Sequence, residues 1–274
     1  MKRAKSTLVI LGLALASCRG PAASPTVTPQ MAQVRIMATT ATDVLLQDLV
    51  VAYHPPGVIW LVTRETASWQ HVAARLSAGD VPFALTTALP LEAGWWSAPI
   101  GQDGIAIIVH PSNPVAALSV ADLRRLFQGQ ITSWAALGGP DLPVIVVSQE
   151  SGSDTRLAFD ALVMGDQRVH NGAQLALSGQ SMVEIISREP GAVGYVSMAY
   201  LSPQVRVVPV AVQGEAIPLS RATVRSGDYP LTVPILIVGP AAPDDTNPVR
   251  DWFAWMQSQH GQAVLERRYG ALLP

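Results

Sequence analysis

The chain has 274 residues, 49% apolar and only 14% charged, so it can bury one large core or two of ordinary size and does not have the composition of a disordered chain. The formal net charge of −2 becomes −5 once the basic start (Lys2, Arg3, Lys5) is set aside, leaving 15 arginines, no lysine and 20 acids, which excludes an electrostatic footprint for nucleic acid. Cys18 is the only cysteine, which excludes a disulfide framework and a cysteine-based metal site.

Residues 1–5 are basic, 8–16 form an apolar run too short for an ordinary membrane span, and Leu15-Ala16-Ser17-Cys18 follows. Small residues ahead of a cysteine resemble the bacterial lipobox. That resemblance implies a lipoprotein signal peptide over 1–18, with the lipid on Cys18; a plain signal peptide with an incidental cysteine is the alternative. Residues 19–33, rich in Pro, Ala, Ser and Thr, read as a flexible tether.

From residue 34 the pattern alternates between the two structural periods. A short strand over 34–37 leads to Thr39-Thr40-Ala41-Thr42-Asp43, and Leu45, Leu46, Leu49 and Val50 then mark one face of a helix. Residues 58–62 read as a strand, Trp69, Val72, Ala73 and Leu76 as a helix stopped by Gly79, and 83–87 as a strand ending in hydroxyls. The run 105–109 is apolar throughout, as in a strand buried on both faces. Ser119 caps a helix with Val120, Leu123, Leu126 and Phe127 inward, ended by Gly129. Met182, Ile185 and Ile186 mark another helix, stopping before Pro190. Strands follow at 191–196, 205–210 and 233–238, then a helix with Val249, Trp252, Phe253 and Met256 on one side, and a last one ending at Gly270. Strands alternating with helices predict parallel sheet covered by helices.

Between these lies the stretch with the most chemistry. The apolar run 143–147 is followed by Gln149-Glu150-Ser151-Gly152-Ser153-Asp154-Thr155-Arg156 and then by Leu157, Phe159, Leu162, Val163 and Met164 at helical spacing. A strand, a small-residue loop and a helix start bring together free N–H groups, hydroxyls and a guanidinium, the makings of an anion site.

Five segments, in order, carry a resemblance. They are Gly101-Gln102-Asp103-Gly104-Ile105-Ala106 with 109–115, then Leu126-Phe127-Gln128-Gly129-Gln130-Ile131-Thr132-Ser133-Trp134, then Ser151 to Arg156, then Pro190-Gly191-Ala192-Val193-Gly194-Tyr195-Val196, and Tyr229-Pro230-Leu231. From about residue 34 to its end the chain resembles the phosphate-type substrate-binding proteins of ABC importers. The resemblance implies an α/β, two-lobed periplasmic-binding-protein type II fold, each lobe a mixed, mostly parallel sheet flanked by helices. Lobe 1 would be discontinuous, 34–108 plus 213–274, with lobe 2 over 109–212 and the ligand in a cleft that closes by hinge motion. It further implies an extracytoplasmic, lipid-anchored monomer that captures an inorganic oxyanion, phosphate favoured, for an ABC transporter permease, without cofactor or metal.

On lobe 1 the implied ligand groups are Thr39, Thr40 and Thr42, with ordinary helix capping by Thr42 or Asp43 as the alternative. Thr86 and Thr87 end the third strand. Phosphate receptors carry an aspartate near this point, and here no acid follows before Glu92. An acceptor-only carboxylate distinguishes protonated phosphate from sulfate, so the choice of oxyanion stays open. Lobe 2 contributes Ser151, Gly152, Ser153 as the cap, Asp154, Thr155 and Arg156. Arg156 can grip an oxyanion or pair with Glu150 or Asp160. Asp154 replaces the family's glycine, and three readings stand: it points away and pairs with Arg156, it accepts a phosphate proton, or it blocks anions.

An enzyme is the first rival, and the sequence lacks a Gly-x-Ser-x-Gly elbow, a His-Glu-x-x-His pair and a P-loop, while His54, His71, His110, His170 and His260 are scattered. The others are a receptor for sulfate, molybdate or tungstate on the same fold, and a sensor or adhesion lipoprotein that has kept it.

Overall fold

The computed structural model describes residues 30–88 and 94–272; the leader, Cys18, residues 19–29 of the tether and Glu92 lie outside the described residues. The first strand, β1 (Gln30–Thr39), begins earlier than its alternation suggested, so Gln30 to Gln33 belong to a strand and not to a tether. The reason is a partner: β1 runs parallel to β2 (Val58–Ala67) along its whole length, from Gln30 opposite Val58 to Thr39 opposite Ala67. Helix α1 (Asp43–Ala52) connects them and buries Leu45, Leu46 and Leu49. Helix α2 (Trp69–Ser77) turns Trp69, Val72 and Leu76 inward and leads to β3 (Ala84–Thr86), parallel to β1 on its other side.

The next strand joins the two halves of the molecule. β4 (Trp96–Val109) contains the apolar run 105–109 and extends nine residues before it. After it come β5 (Leu118–Ser119), α3 (Val120–Phe127), β6 (Ile145–Gln149) and α4 (Asp154–Phe159), whose last turn widens into a π-helical turn over Asp160–Met164. Then follow β7 (Gln174–Ala176), α5 (Gly179–Arg188), β8 (Ala192–Ser197) and a 3-10 turn, Met198–Tyr200. The remaining elements are β9 (Arg206–Val208), β10 (Val210–Val212), β11 (Glu215–Ile217), α6 (Arg221–Ser226), β12 (Thr232–Gly239), α7 (Val249–Gln257), α8 (Gln259–Leu265) and β13 (Gly270–Ala271).

Through Gly104, β4 lies antiparallel to β12; from Ile105 onward it lies antiparallel to β8. The strand changes partners between these two residues, and with them it passes from one lobe to the other. Among the described residues the main sheet runs β2-β1-β3-β12-β4-β8-β6-β7. Parallel pairing is confined to its two wings, while the middle, around β4, is antiparallel.

Two other segments differ from their sequence reading. Residues 205–210 divide into β9 and β10 because Pro209 has no N–H to continue a ladder; its carbonyl instead accepts from Leu118 N at 3.1 Å. β9 stays on β4, whereas β10 joins β5 and forms a hairpin with β11. That hairpin pairs 215–217 with β10, across the expected boundary at 212/213. The last helix, α8, ends at Leu265, and Gly270 belongs to β13, which pairs antiparallel with β4, opposite Gln102, and so takes an extended backbone.

Each lobe has its own aromatic core. Tyr53, Trp60, Trp252 and Phe253 pack edge-on or tilted in the first. In the second, Phe159 stacks on Tyr195 with ring centroids 3.9 Å apart, and Phe127 leans on both. These rings fasten α4 to β8. They thereby set the position of the loop that opens α4.

Candidate functional site

The loop 150–153 emerges from the buried end of β6. Gly191 lets β6 approach β8 closely: a Cβ there would lie 2.2 Å from the Pro143 carbonyl. Tyr195, on β8, meets Ser148 Oγ at 2.8 Å and accepts from Gln149 N at 3.3 Å, and burial pushes its phenol up to about 12, so it stays a neutral hydroxyl. Ser153 caps α4 as its sequence suggested, accepting from Arg156 N at 3.1 Å and donating to Gln149 Oε1 at 3.1 Å. Ser153→Ala is expected to destabilise the fold by about 1 kcal/mol in urea unfolding, because an N–H at the helix start loses its acceptor.

Asp154 opens the helix and is fully buried. Its side chain neither points away nor pairs with Arg156; it crosses the cleft into the threonines of the first lobe. Thr39 Oγ1 donates to Asp154 Oδ2 in a very short contact, Thr87 Oγ1 donates to the same oxygen at 3.0 Å, and Thr87 N lies 3.4 Å from it. Thr40 Oγ1 approaches Asp154 Oδ1 at 3.4 Å. Among the described residues, the donors to this carboxylate are hydroxyls and one N–H, and none is a basic side chain. An acid therefore lies beside Thr87, supplied by the opposite lobe.

The other candidates divide between framework and surface. Thr42 donates to Leu85 O at 2.8 Å and lies 3.1 Å from Thr39 Oγ1, so it holds Thr39 in place without capping α1 through its side chain. Thr86 is buried and accepts from Ala88 N at 2.9 Å, turned away from the carboxylate. Ser151 is exposed, and Thr155 is buried in the first helical turn. Arg156 takes the structural alternative: Nε donates to both oxygens of Asp160 at 2.8 Å, and Nη1 to Ser148 Oγ at 3.0 Å and Gln149 O at 3.1 Å. Its guanidinium braces the loop against β6. Gly152 serves closure, since Gln70 N donates to its carbonyl at 3.1 Å and a Cβ would meet Gln70 Oε1 at 2.9 Å.

Two residues the motifs did not single out complete the site. Tyr200, just after β8, donates across the cleft to Thr40 O at 2.6 Å. Asp103 lies on β4 immediately before the strand changes partners and accepts from Met198 N at 3.2 Å. Burial raises its carboxyl to about 7; hydrogen bonds from Ser197, Met198 and Gly104 pull it down, and the nearby Asp154 charge pushes it further up. An acid inside a crossing strand was the available signal, because a buried carboxyl needs a specific role or partner. A second anion about 4 Å from the Asp154 carboxylate would cost about 4 kcal/mol at an effective dielectric near 20.

Comparison with known proteins agrees with this architecture. The sequence profile described as PBP superfamily domain matches residues 23–260, and the chain belongs to that family. A curated relative, "Phosphate-binding protein PstS" of Bacillus subtilis, is 29% identical over 128 residues, 47% of this chain and 41% of the relative. The protein of the same name from Borreliella burgdorferi is 20% identical over 185 residues, 65% of this chain and 66% of the relative. "Phosphate-binding protein PstS 2" of Streptococcus pneumoniae serotype 4 is 31% identical over 128 residues, 44% and 42% of the two chains. The matched region thus spans between two fifths and two thirds of these relatives' length. An ABC-type phosphate transport receptor from Vibrio cholerae superposes with a TM-score of 0.72 at 24% identity, covering 88% of this chain and 100% of the other. A putative phosphate ABC transporter substrate-binding protein from Clostridium perfringens, solved with bound phosphate, gives 0.78 at 23% identity over 88% and 100%. At these identities the shared property is the two-lobed fold.

Proposed function

We propose that this member of the PBP superfamily is an extracytoplasmic binding protein, not a catalyst, that captures an inorganic oxyanion, phosphate favoured, between its lobes for an ABC importer. It is anchored through lipid on Cys18, acts as a monomer and delivers its ligand to a permease. The observation that carries the reading is the donor set of Thr39, Thr40 and Thr87: three hydroxyls and an N–H converge on one pair of carboxylate oxygens across the cleft. Donors arranged for two oxygens of a carboxylate also suit two oxygens of a tetrahedral oxyanion. The proteins named as phosphate-binding among the relatives support phosphate over sulfate, molybdate or tungstate. Among the described residues no helix is long and apolar enough to cross a membrane, which is compatible with attachment by lipid.

Calorimetric titration of the protein, freed of anions by dialysis, tests this reading. Phosphate is expected to release heat with one site per chain, and sulfate and molybdate to bind at least tenfold more weakly. Lack of heat with all three anions, in this protein and in its Asp154→Gly and Asp154→Asn variants alike, would rule the reading out. A second reading, a sensor or adhesion lipoprotein on the same fold, is favoured by one observation: the donors already hold Asp154.

A further inference from the structure

The threonine donors of one lobe and an acid of the other are opposite halves of one closed contact. Asp154 Oδ2 takes the Thr39 and Thr87 hydroxyls and Thr87 N–H, and Oδ1 faces Thr40. The carboxylate stands inside the donor ring, not beside it. Thr39 and Asp154 are both 0% exposed and Thr87 is 3% exposed, so the lobes have shut around this group. Two further contacts cross the same cleft, Gln70 N to Gly152 O at 3.1 Å and Tyr200 Oη to Thr40 O at 2.6 Å.

We infer that Asp154 is a tethered resident anion: its carboxylate latches the lobes closed with no external ligand, and an incoming oxyanion must displace it from the threonine donors. The latch follows from the balance of donors. With the carboxylate in place, the Thr39, Thr40 and Thr87 donors have an acceptor. Without it, the Thr87 hydroxyl and N–H would be buried and unpaired in the closed form yet hydrated in the open one, and Thr39 would keep only Thr42 Oγ1 at 3.1 Å and Leu85 O at 3.4 Å, so the open form wins. The two neutral contacts that remain are individually weaker than bonds to an ionised acceptor. Displacement follows from charge: one donor ring cannot hold two anions side by side without strong repulsion. Loss of the latch therefore costs closure but frees the cradle. This makes Asp154 both the gate and the residue that sets affinity. The displacement half rests on the oxyanion reading above; the latch half does not.

Small-angle scattering and calorimetry on wild type, Asp154→Gly and Asp154→Asn separate the two. In phosphate-free buffer, wild type should scatter as a closed two-lobed particle. Asp154→Gly should show a larger radius of gyration that contracts on adding phosphate. Phosphate affinity should rise at least 100-fold in Asp154→Gly, while Asp154→Asn, which keeps an oxygen acceptor without the charge, falls between. Identical scattering of wild type and Asp154→Gly without phosphate overturns the latch. Phosphate binding to wild type as tightly as to Asp154→Gly, or more tightly, overturns displacement and makes Asp154 a ligand partner. If none of the three proteins binds phosphate, sulfate or molybdate, the oxyanion reading falls and displacement with it, and the scattering comparison still decides the latch.

Discussion

Changing Thr39 and Thr87 together to valine, in a chain that also carries Asp154→Gly, is expected to weaken phosphate binding by a factor of about 100 to 10,000. Each hydroxyl meets the anion as a hydrogen bond to a charged acceptor, worth roughly 1.5–3 kcal/mol, and every 1.4 kcal/mol is about tenfold in affinity. Valine keeps the branched shape of threonine, so the buried β1 and β3 ends are not emptied. The Asp154→Gly background matters because in wild type the same two hydroxyls serve the internal carboxylate. There their removal weakens the rival as well as the ligand, and the apparent loss in affinity shrinks. Thr86→Val is the control: its hydroxyl accepts from Ala88 N at 2.9 Å and does not face the anion, so affinity should stay within about threefold. Calorimetry on these variants reads the outcome directly, and an unchanged affinity in the double-valine protein would show that the threonines do not form the binding cradle.

The second large effect concerns Asp103 and stability. Its carboxyl titrates near 7 in the folded chain against 3.8 ordinarily, with burial as the largest cause. Between those two pH values the native state holds a proton that the unfolded chain has released. Stability from the protonated form is therefore complete below about pH 4 and is lost as the pH rises through about 7. The total is bounded at roughly 4 kcal/mol. Urea unfolding should show wild type losing about 3 kcal/mol relative to Asp103→Asn between pH 5 and pH 8. Asparagine retains an oxygen for Met198 N and has no proton to release. Parallel pH profiles for the two proteins would refute the shift. Because Asp103 sits where β4 changes partners, a charge appearing there bears on the junction between the lobes.

Much of the site was legible before any tertiary contact was known. The small-residue loop ahead of apolar residues at helical spacing marked the start of α4, and Ser153 does cap it. Thr39, Thr40 and Thr87 come from strand ends whose alternation or apolar run was visible in the sequence. Arg156 was expected to grip an oxyanion and instead pairs with Asp160, because the two alternatives differ only in where a long side chain turns. The turn is set by Ser148 and Gln149 O, which lie eight and seven residues earlier, beside the helix start. Residues 205–210 were read as one strand, and the structure splits them at Pro209 into strands that join different sheets, because proline has no N–H to continue a ladder.

The stretch from Ser151 to Arg156 shows where local information ends. Helix and strand periods, caps and turn residues depend on neighbours a few positions away, so the chain by itself determined the elements, their alternation and the two-lobed family to which they belong. The direction of one carboxylate depends instead on what faces it, and Asp154 faces Thr39 and Thr87, 115 and 67 positions away in sequence. Only when β4 carries the chain from one lobe to the other and the lobes close do those hydroxyls meet that acid. Tertiary structure therefore decided that the aspartate in the family's glycine position lies inside the cradle, because a buried carboxylate goes where the donors are.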